Sequence, residues 1–431
     1  LKPPWHKPSS CSVCLPNPIL QPIEEHMMVP TFLYLQFSIY FLGHALPLLP
    51  KAPSALHAET LGSEQGAAAN EAALVQLPSK RRHGLDVSDV AEDNEMIDKI
   101  VYIKTESTGS STLTSILHWF CENHDRRCFI YPDYLPEIGN GKLIWRPQLT
   151  QIVAEEAGTL DIWPQHARLE TDLFDELIPG NFKISLFREP LSRVMSSFRH
   201  CLPPCDNERS MHRVQRVLEA LKNDTIPDDC GPTSMKMSEF VPIERFHALD
   251  FILLTEKYDL GLMMLKRVLG WSMRDMLYRR MKSEHEEDLT ELVDELQTFV
   301  NGSGTPAADE WFSRCSGEND TLVYGLARKA FEHQWNSFTV EEQMEINADL
   351  EMFQVTQAAL EDCCETHSGD ALCQHMLIDH AEWTILAREI VDDDGIVHFD
   401  GGAGSACMQV IDAALSRNAI VSQSLARERL P

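Results

Sequence analysis

Residues 99–120 read KIVYIKTESTGSSTLTSILHWF, and three kinds of structure follow one another in that stretch. Lys99–Lys104 is a short run rich in β-branched and aromatic residues, which predicts a buried strand. Thr105–Gly109 is a turn. From Ser110 to about Glu122 the apolar residues Leu113, Ile116, Leu117 and Phe120 recur at helical spacing, which predicts an amphipathic helix. A strand that feeds a Gly/Ser/Thr turn into a helix aims backbone N–H groups and the positive end of the helix dipole at one point, which suits a phosphate or phosphosulfate. Thr108, Gly109, Ser110, Ser111 and Thr112 are the candidate donors, with Ser107 beside them. Ordinary N-capping by Ser and Thr is the other reading of the same residues. The Gly-Lys-Ser/Thr ending of a Walker A loop is absent, so an ATPase or kinase reading loses its main support.

Two further units repeat the pattern. Phe182–Phe187 (FKISLF) precedes a helix opened by Pro190, a residue suited to a first helical turn. Asp250–Leu254 (DFILL) precedes a helix around Leu260–Leu269. Apolar strands alternating with helices imply an α/β fold with a mainly parallel sheet covered on both faces. Beyond Ser316 the pattern is mostly helical, including Leu322–Phe331 and Val340–Leu360, and no internal repeat is present.

The chain has 431 residues and a formal net charge of -29. That charge argues against non-specific nucleic-acid binding, which needs a broad positive surface, so no nucleic-acid partner is expected. Any anionic ligand must be held by a local cluster of donors. Acidic stretches such as Glu284–Glu295 and Asp392–Asp394 read as solvated faces. Twelve cysteines, without metal-type spacing, point to disulfides or buried thiols in an oxidising compartment. The sequons at Asn223, Asn301 and Asn319 agree with a lumenal domain.

From Met27 to Pro50 the chain is apolar, with no charge other than on His44 in its protonated form, which is long enough to cross a bilayer as a helix. A cleaved signal peptide is the alternative. The expected organisation is a tail over 1–26, a membrane segment over 27–50, a flexible stem over 51–96, a folded domain over 97–400 and a C-terminal tail over 401–431.

The second strand ends in Phe187-Arg188-Glu189-Pro190, and Ser196 lies about two turns into the following helix. An arginine leaving a strand beside a serine-bearing helix can grip a second phosphate. Anion sites at the ends of two neighbouring parallel strands suit a ligand with phosphates at both ends.

These residues resemble the sulfotransferases that use 3'-phosphoadenosine-5'-phosphosulfate (PAPS), and within them the galactose 3-O-sulfotransferase family. That family's strand, Lys-Thr-His-Lys-Thr-Gly-Ser-Ser-Thr-Leu and helix correspond to Lys104–Leu113 here, with eight of ten positions alike. Its Leu-Arg-Asp-Pro and Glu-Ser-Ser-Phe segments are echoed by Phe187–Pro190 and Met195–Phe198. The likeness continues through Phe251–Asp259, Leu265–Arg267, Trp271 and Asp275, with a fainter echo at Asp320, Tyr324, Phe331 and Trp335. It covers about Lys99 to Phe338.

The resemblance implies a P-loop NTPase-like three-layer sandwich with added helices. It implies a Golgi membrane protein of single-pass type II topology, and PAPS as co-substrate with no metal. It implies a galactose-bearing glycolipid, such as galactosylceramide, or a glycan as acceptor. The 5'-phosphosulfate would lie over Thr108–Thr112 and the 3'-phosphate on Arg188 and Ser196. Where the family carries His-Lys, this chain has Glu106-Ser107, so the cation expected at the transferred group is missing; Lys104 is the candidate replacement, reaching in from the strand end or, by strand alternation, pointing elsewhere. Glu106 and His166, the latter in a segment resembling the family's Asn-His-Met-Arg, are the candidate bases. A polysaccharide acceptor, or a lumenal nucleotide- or glycan-binding protein without catalysis, are the rival readings.

Overall fold

The computed structural model describes residues 96–129, 143–199, 207–231, 235–279, 287–367, 369, 370, 372, 373, 376 and 405–416. The expected membrane segment, and the expected stem up to residue 95, lie outside the described residues. No helix among the described residues is long and apolar enough to cross a membrane.

Among the described residues, four parallel strands form one sheet in the order β2-β1-β3-β4. They are β1 (Ile100–Ile103), β2 (Ile162–Trp163), β3 (Phe182–Phe187) and β4 (Phe251–Leu254). Ile100 pairs with Ile162 and with Phe182, and Phe187 pairs with Leu254. Successive strand residues face opposite sides of a sheet, and every residue of β1 and β4 is buried. Both faces are therefore covered, as the unbroken apolar runs predict. β2 was not legible: two residues are too short to show a period, and pairing with β1 and a bridge to Cys128 define them.

The helices in chain order are α1 (Ser110–Asn123), α2 (Arg146–Glu156), α3 (Thr171–Leu177), α4 (Pro190–Arg199), α5 (Asn207–Lys222) and α6 (Met237–Phe240). They continue with α7 (Tyr258–Leu269), α8 (Glu287–Ser303), α9 (Pro306–Ser316), α10 (Glu318–Ser337) and α11 (Val340–Thr366). The α10 and α11 helices extend the segments expected over 322–331 and 340–360.

The main core gathers the strands, α1, α7 and parts of α10 and α11. A second apolar cluster is built by Leu191, Val194, Met195 and Phe198 of α4 against α5, α8 and α9, with Trp311 at its centre. Between them lies a buried ion pair. Arg193, 1% exposed, places Nε 3.3 Å from Asp320, which is 0% exposed. Arg193 also donates to the carbonyls of Met235 and Cys315, while Asp320 accepts from the N–H groups of Met237 and Ser238.

Among the described residues, four disulfides join Cys121 to Cys128, Cys230 to Cys315, Cys363 to Cys407 and Cys364 to Cys373. The third holds a helical stretch, 406–416, against α11, and Cys407 and Ile411 belong to the main core.

Candidate active site

In an open parallel sheet, ligands bind beyond the carboxyl ends of the strands, where the strand order reverses. Here β2 lies on one side of β1 and β3 on the other, so the reversal falls between β1 and β3. The 105–109 turn leaves β1 at that point, and Arg188 leaves β3 beside it.

The turn is held from within. The Thr105 hydroxyl donates to the carbonyl of Leu186 in β3 and lies 2.9 Å from the Thr108 hydroxyl, which is 3.2 Å from the Thr105 carbonyl. Ser107 has φ 58° and Gly109 φ 81°, both in the left-handed region. At Gly109 the absence of Cβ makes that conformation inexpensive. Gly109 is the N-cap of α1, no side chain caps the helix, and no acidic residue stands in its first turn. The Thr112 N–H turns back to the Gly109 carbonyl at 3.2 Å, and no side chain caps the N–H groups ahead of it, which with the helix dipole suit an anion.

The start of α4 is different. The Glu189 carboxylate accepts from the N–H groups of Leu191 and Ser192, at 3.0 and 2.6 Å, so that helix carries its own anion. A second phosphate would rest on side chains instead.

Arg188 reaches back to the first turn, its Nη1 donating to the Ser107 carbonyl at 3.2 Å. Burial, and then the charge of Arg199, press its guanidinium below the usual arginine value. An anion placed there would relieve both effects. Ser196 is half-buried on α4. Its neighbour Ser197 is buried and structural, donating to the carbonyl of Val194 and lying 3.0 Å from that of Cys230.

Glu106 is largely buried, and its carboxylate accepts from the Met235 N–H at 3.3 Å. Desolvation pushes its pKa up to about 7; the Met235 bond, Arg193 and Lys104 oppose the shift, and Glu239 adds to it. Lys104 is 2% exposed, so its charge acts on Glu106 from inside the protein. His166, also buried, sets Nδ1 2.9 Å from the Lys104 carbonyl. Glu106, Lys104 and His166 thus gather around the end of β1.

The sequence places Thr255, Glu189 and Asp320 in segments resembling the family but gives them no role, and it does not pair Arg193 with Asp320. Glu189 was legible as an acidic residue just before a helix-opening proline. Thr255 and Asp320 act through contacts far apart in the chain, for which the local pattern carries no signal.

Together these features define an α/β protein with a helix N-terminus uncapped by any side chain at the β1/β3 switch point and a carboxylate of raised pKa beside it. The profile of the family described as galactose-3-O-sulfotransferase matches residues 18–225, a little under half of the chain. It is similar to galactosylceramide sulfotransferase of Homo sapiens, 26% identical over 222 residues, 46% of this chain and 51% of that protein. The protein of the same name from Bos taurus is 27% identical over 225 residues, with the same shares covered. The match thus spans about half the length of these relatives.

Proposed function

We propose that this protein transfers the sulfuryl group of PAPS to a hydroxyl of a galactose-bearing glycolipid or glycan, at the 3-position of a terminal galactose. The observation that carries the reading is the uncapped N-terminus of α1 at Gly109 with Arg188 brought to the same turn. The match of residues 18–225 to the galactose-3-O-sulfotransferase profile supports it.

In this reading the amides at the start of α1, with the Ser110, Ser111 and Thr112 hydroxyls, hold the 5' end of the donor, and Arg188 with Ser196 holds its 3'-phosphate. Glu106 or His166 takes the proton of the acceptor hydroxyl as its oxygen bonds to sulfur. The bond from sulfur to the donor's bridging oxygen breaks, and adenosine 3',5'-bisphosphate leaves. Lys104 and Arg188 supply positive charge near the leaving oxygens. No step calls for a metal. We further propose a Golgi membrane setting, with a type II anchor over 27–50, a stem over 51–96 and the catalytic domain in the lumen. The four disulfides support an oxidising compartment.

Incubating the full chain with radiolabelled PAPS and a panel of galactosides tests the proposal. Label on a terminal galactose supports it. PAPS bound without transfer to any acceptor would sink the enzyme reading in favour of a binding protein.

A further inference from the structure

Thr255 directly follows β4. Its hydroxyl lies 2.6 Å from the carbonyl oxygen of Thr108, 147 residues away, and 3.1 Å from that of Phe187. A threonine hydroxyl has one proton. Both partners are carbonyls, so the hydroxyl is the donor, and the shorter contact makes Thr108 its main acceptor. One side chain thus joins the end of β4 to the turn after β1 and to the last residue of β3. Its methyl carbon stands 3.9 Å from where a Cβ on Gly109 would be, which is ordinary packing.

The orientation of one peptide follows. The unit linking Thr108 to Gly109 is planar and trans, so its C=O and N–H point in opposite directions. With the carbonyl turned to Thr255, the Gly109 N–H points away from β4. Gly109 is the exposed residue of the turn, and it is a glycine at φ 81°. Lacking Cβ, it offers little steric resistance to rotation of the preceding peptide. Such a rotation would put a carbonyl oxygen where the N–H had been, an acceptor in place of a donor. The carbonyl of Ser107 is held in the same manner by Arg188, so two consecutive carbonyls of the turn are drawn onto side chains from β3 and β4.

The geometry points to Thr255 as a positioning residue that locks the Thr108–Gly109 peptide with its N–H in the donor orientation the anion cradle requires. Thr255 lies beyond the residues that the family profile matches. The consequence for ligand affinity rests on the PAPS reading; the lock itself does not.

Two substitutions in the full chain test it. Thr255→Val keeps the shape and removes the donor, whereas Thr255→Ser keeps the donor. Affinity for adenosine 3',5'-bisphosphate, measured by calorimetry, is expected to fall about tenfold in the valine variant, the worth of one hydrogen bond. The serine variant should stay within about threefold. Crystal structures of both variants supply a ligand-independent readout: the Thr108–Gly109 peptide should be rotated, or split between two orientations, with valine and single with serine. An unmoved peptide in the valine variant overturns the lock, as does serine losing as much affinity as valine. If the unsubstituted protein binds no bisphosphate, the PAPS reading fails, and the peptide orientation alone decides the inference.

Discussion

The Nδ1 atom of His166 lies 2.9 Å from the backbone carbonyl oxygen of Lys104. A carbonyl can only accept, so Nδ1 carries the proton in the neutral ring, and the lone pair belongs to Nε2. That is the tautomer a general base needs, held by the strand end that leads into the turn. Replacing His166 by asparagine tests whether the ring does more than hold the strand, because the asparagine amide can still donate to the Lys104 carbonyl. If Nε2 takes the acceptor proton, His166→Asn should lower kcat about a hundredfold with bisphosphate affinity and Tm near those of the parent. His166→Ala should lose Tm as well, since it leaves a buried carbonyl without its donor. A kcat unchanged in the asparagine variant would reduce His166 to a structural role.

Glu106 predicts two pH signatures. Burial raises its folded pKa from 4.5 to about 7. Between those values the folded state binds more protons than the unfolded state, so stability falls as pH rises through that window. The contribution is fully present below 4.5 and lost above 7. Glu106→Gln removes it, so the variant should gain on the parent from pH 4.5 to 7 by at most about 3 kcal/mol. Urea denaturation across that range measures the difference. If Glu106 is also the base, the transfer rate rises with pH to a plateau above about 7, and the glutamine variant loses that limb. A pH profile identical in the two proteins assigns the base elsewhere.

The Arg193–Asp320 pair should dominate the response of the region to mutation. Both side chains are almost fully buried. Asp320 also accepts two backbone N–H groups and the Ser238 hydroxyl. Asp320→Ala leaves the Arg193 charge uncompensated and is expected to cost about 3–5 kcal/mol. An exposed pair such as Lys222 and Glu295, 2.8 Å apart, should change little when broken. Chemical denaturation of both variants checks the contrast. Because Arg193 also opposes the rise in the Glu106 pKa, a change in the Glu106 titration should accompany the loss of Asp320.

Gly231 offers a purely steric counterpart. A Cβ there would fall 2.1 Å from the Ser197 hydroxyl oxygen, with Gly231 at φ 90°. Gly231→Ala must therefore turn the Ser197 hydroxyl off its bonds to the Val194 and Cys230 carbonyls and press on the α4 backbone at 3.3 Å, in addition to bearing left-handed strain. The Cβ position at Gly109 meets nothing closer than 3.9 Å, so Gly109→Ala should cost only the strain, about 1–2 kcal/mol. Thermal melts should rank Gly231→Ala well below Gly109→Ala; the reverse order would show that α4 yields easily.

The parts of this architecture that were legible in sequence are those with a local cause. KIVYIK, FKISLF and FILL are apolar runs closed by turn residues, and each became a strand. The Gly109 turn and Pro190 mark the helix starts because their backbone preferences act within one or two residues. β2 escaped notice since Ile162 and Trp163 become a strand by pairing with Ile100 and Val101. The site divides in the same way. Its donors and its arginine sit in readable motifs, whereas Thr255 and Met235 matter only because the fold carries them to Thr108 and Glu106. Pairing among the cysteines likewise depends on separations of 7, 85, 44 and 9 residues, which no local pattern specifies.

Whether a lysine at position 107 would aid transfer is the last point that experiment can decide, and the backbone makes the test clean. Ser107 already occupies φ 58°, so the strain of a left-handed residue bearing a Cβ is present in the parent, and lysine adds no new penalty of that kind. Its carbonyl is held by Arg188, which keeps the turn in place when the side chain changes. Ser107→Lys therefore adds a cation beside the cradle with the backbone preserved. Sulfuryl transfer builds negative charge on the leaving oxygens, and one well-aimed donor is worth about 10²–10³ in kcat where such charge develops. We predict that Ser107→Lys raises the transfer rate at saturating PAPS by at least about tenfold, the low end allowing for repulsion from Arg188. A rate that stays level would mean that Arg188 and Lys104 already meet the need for charge, and that Glu106-Ser107 is a working alternative to His-Lys.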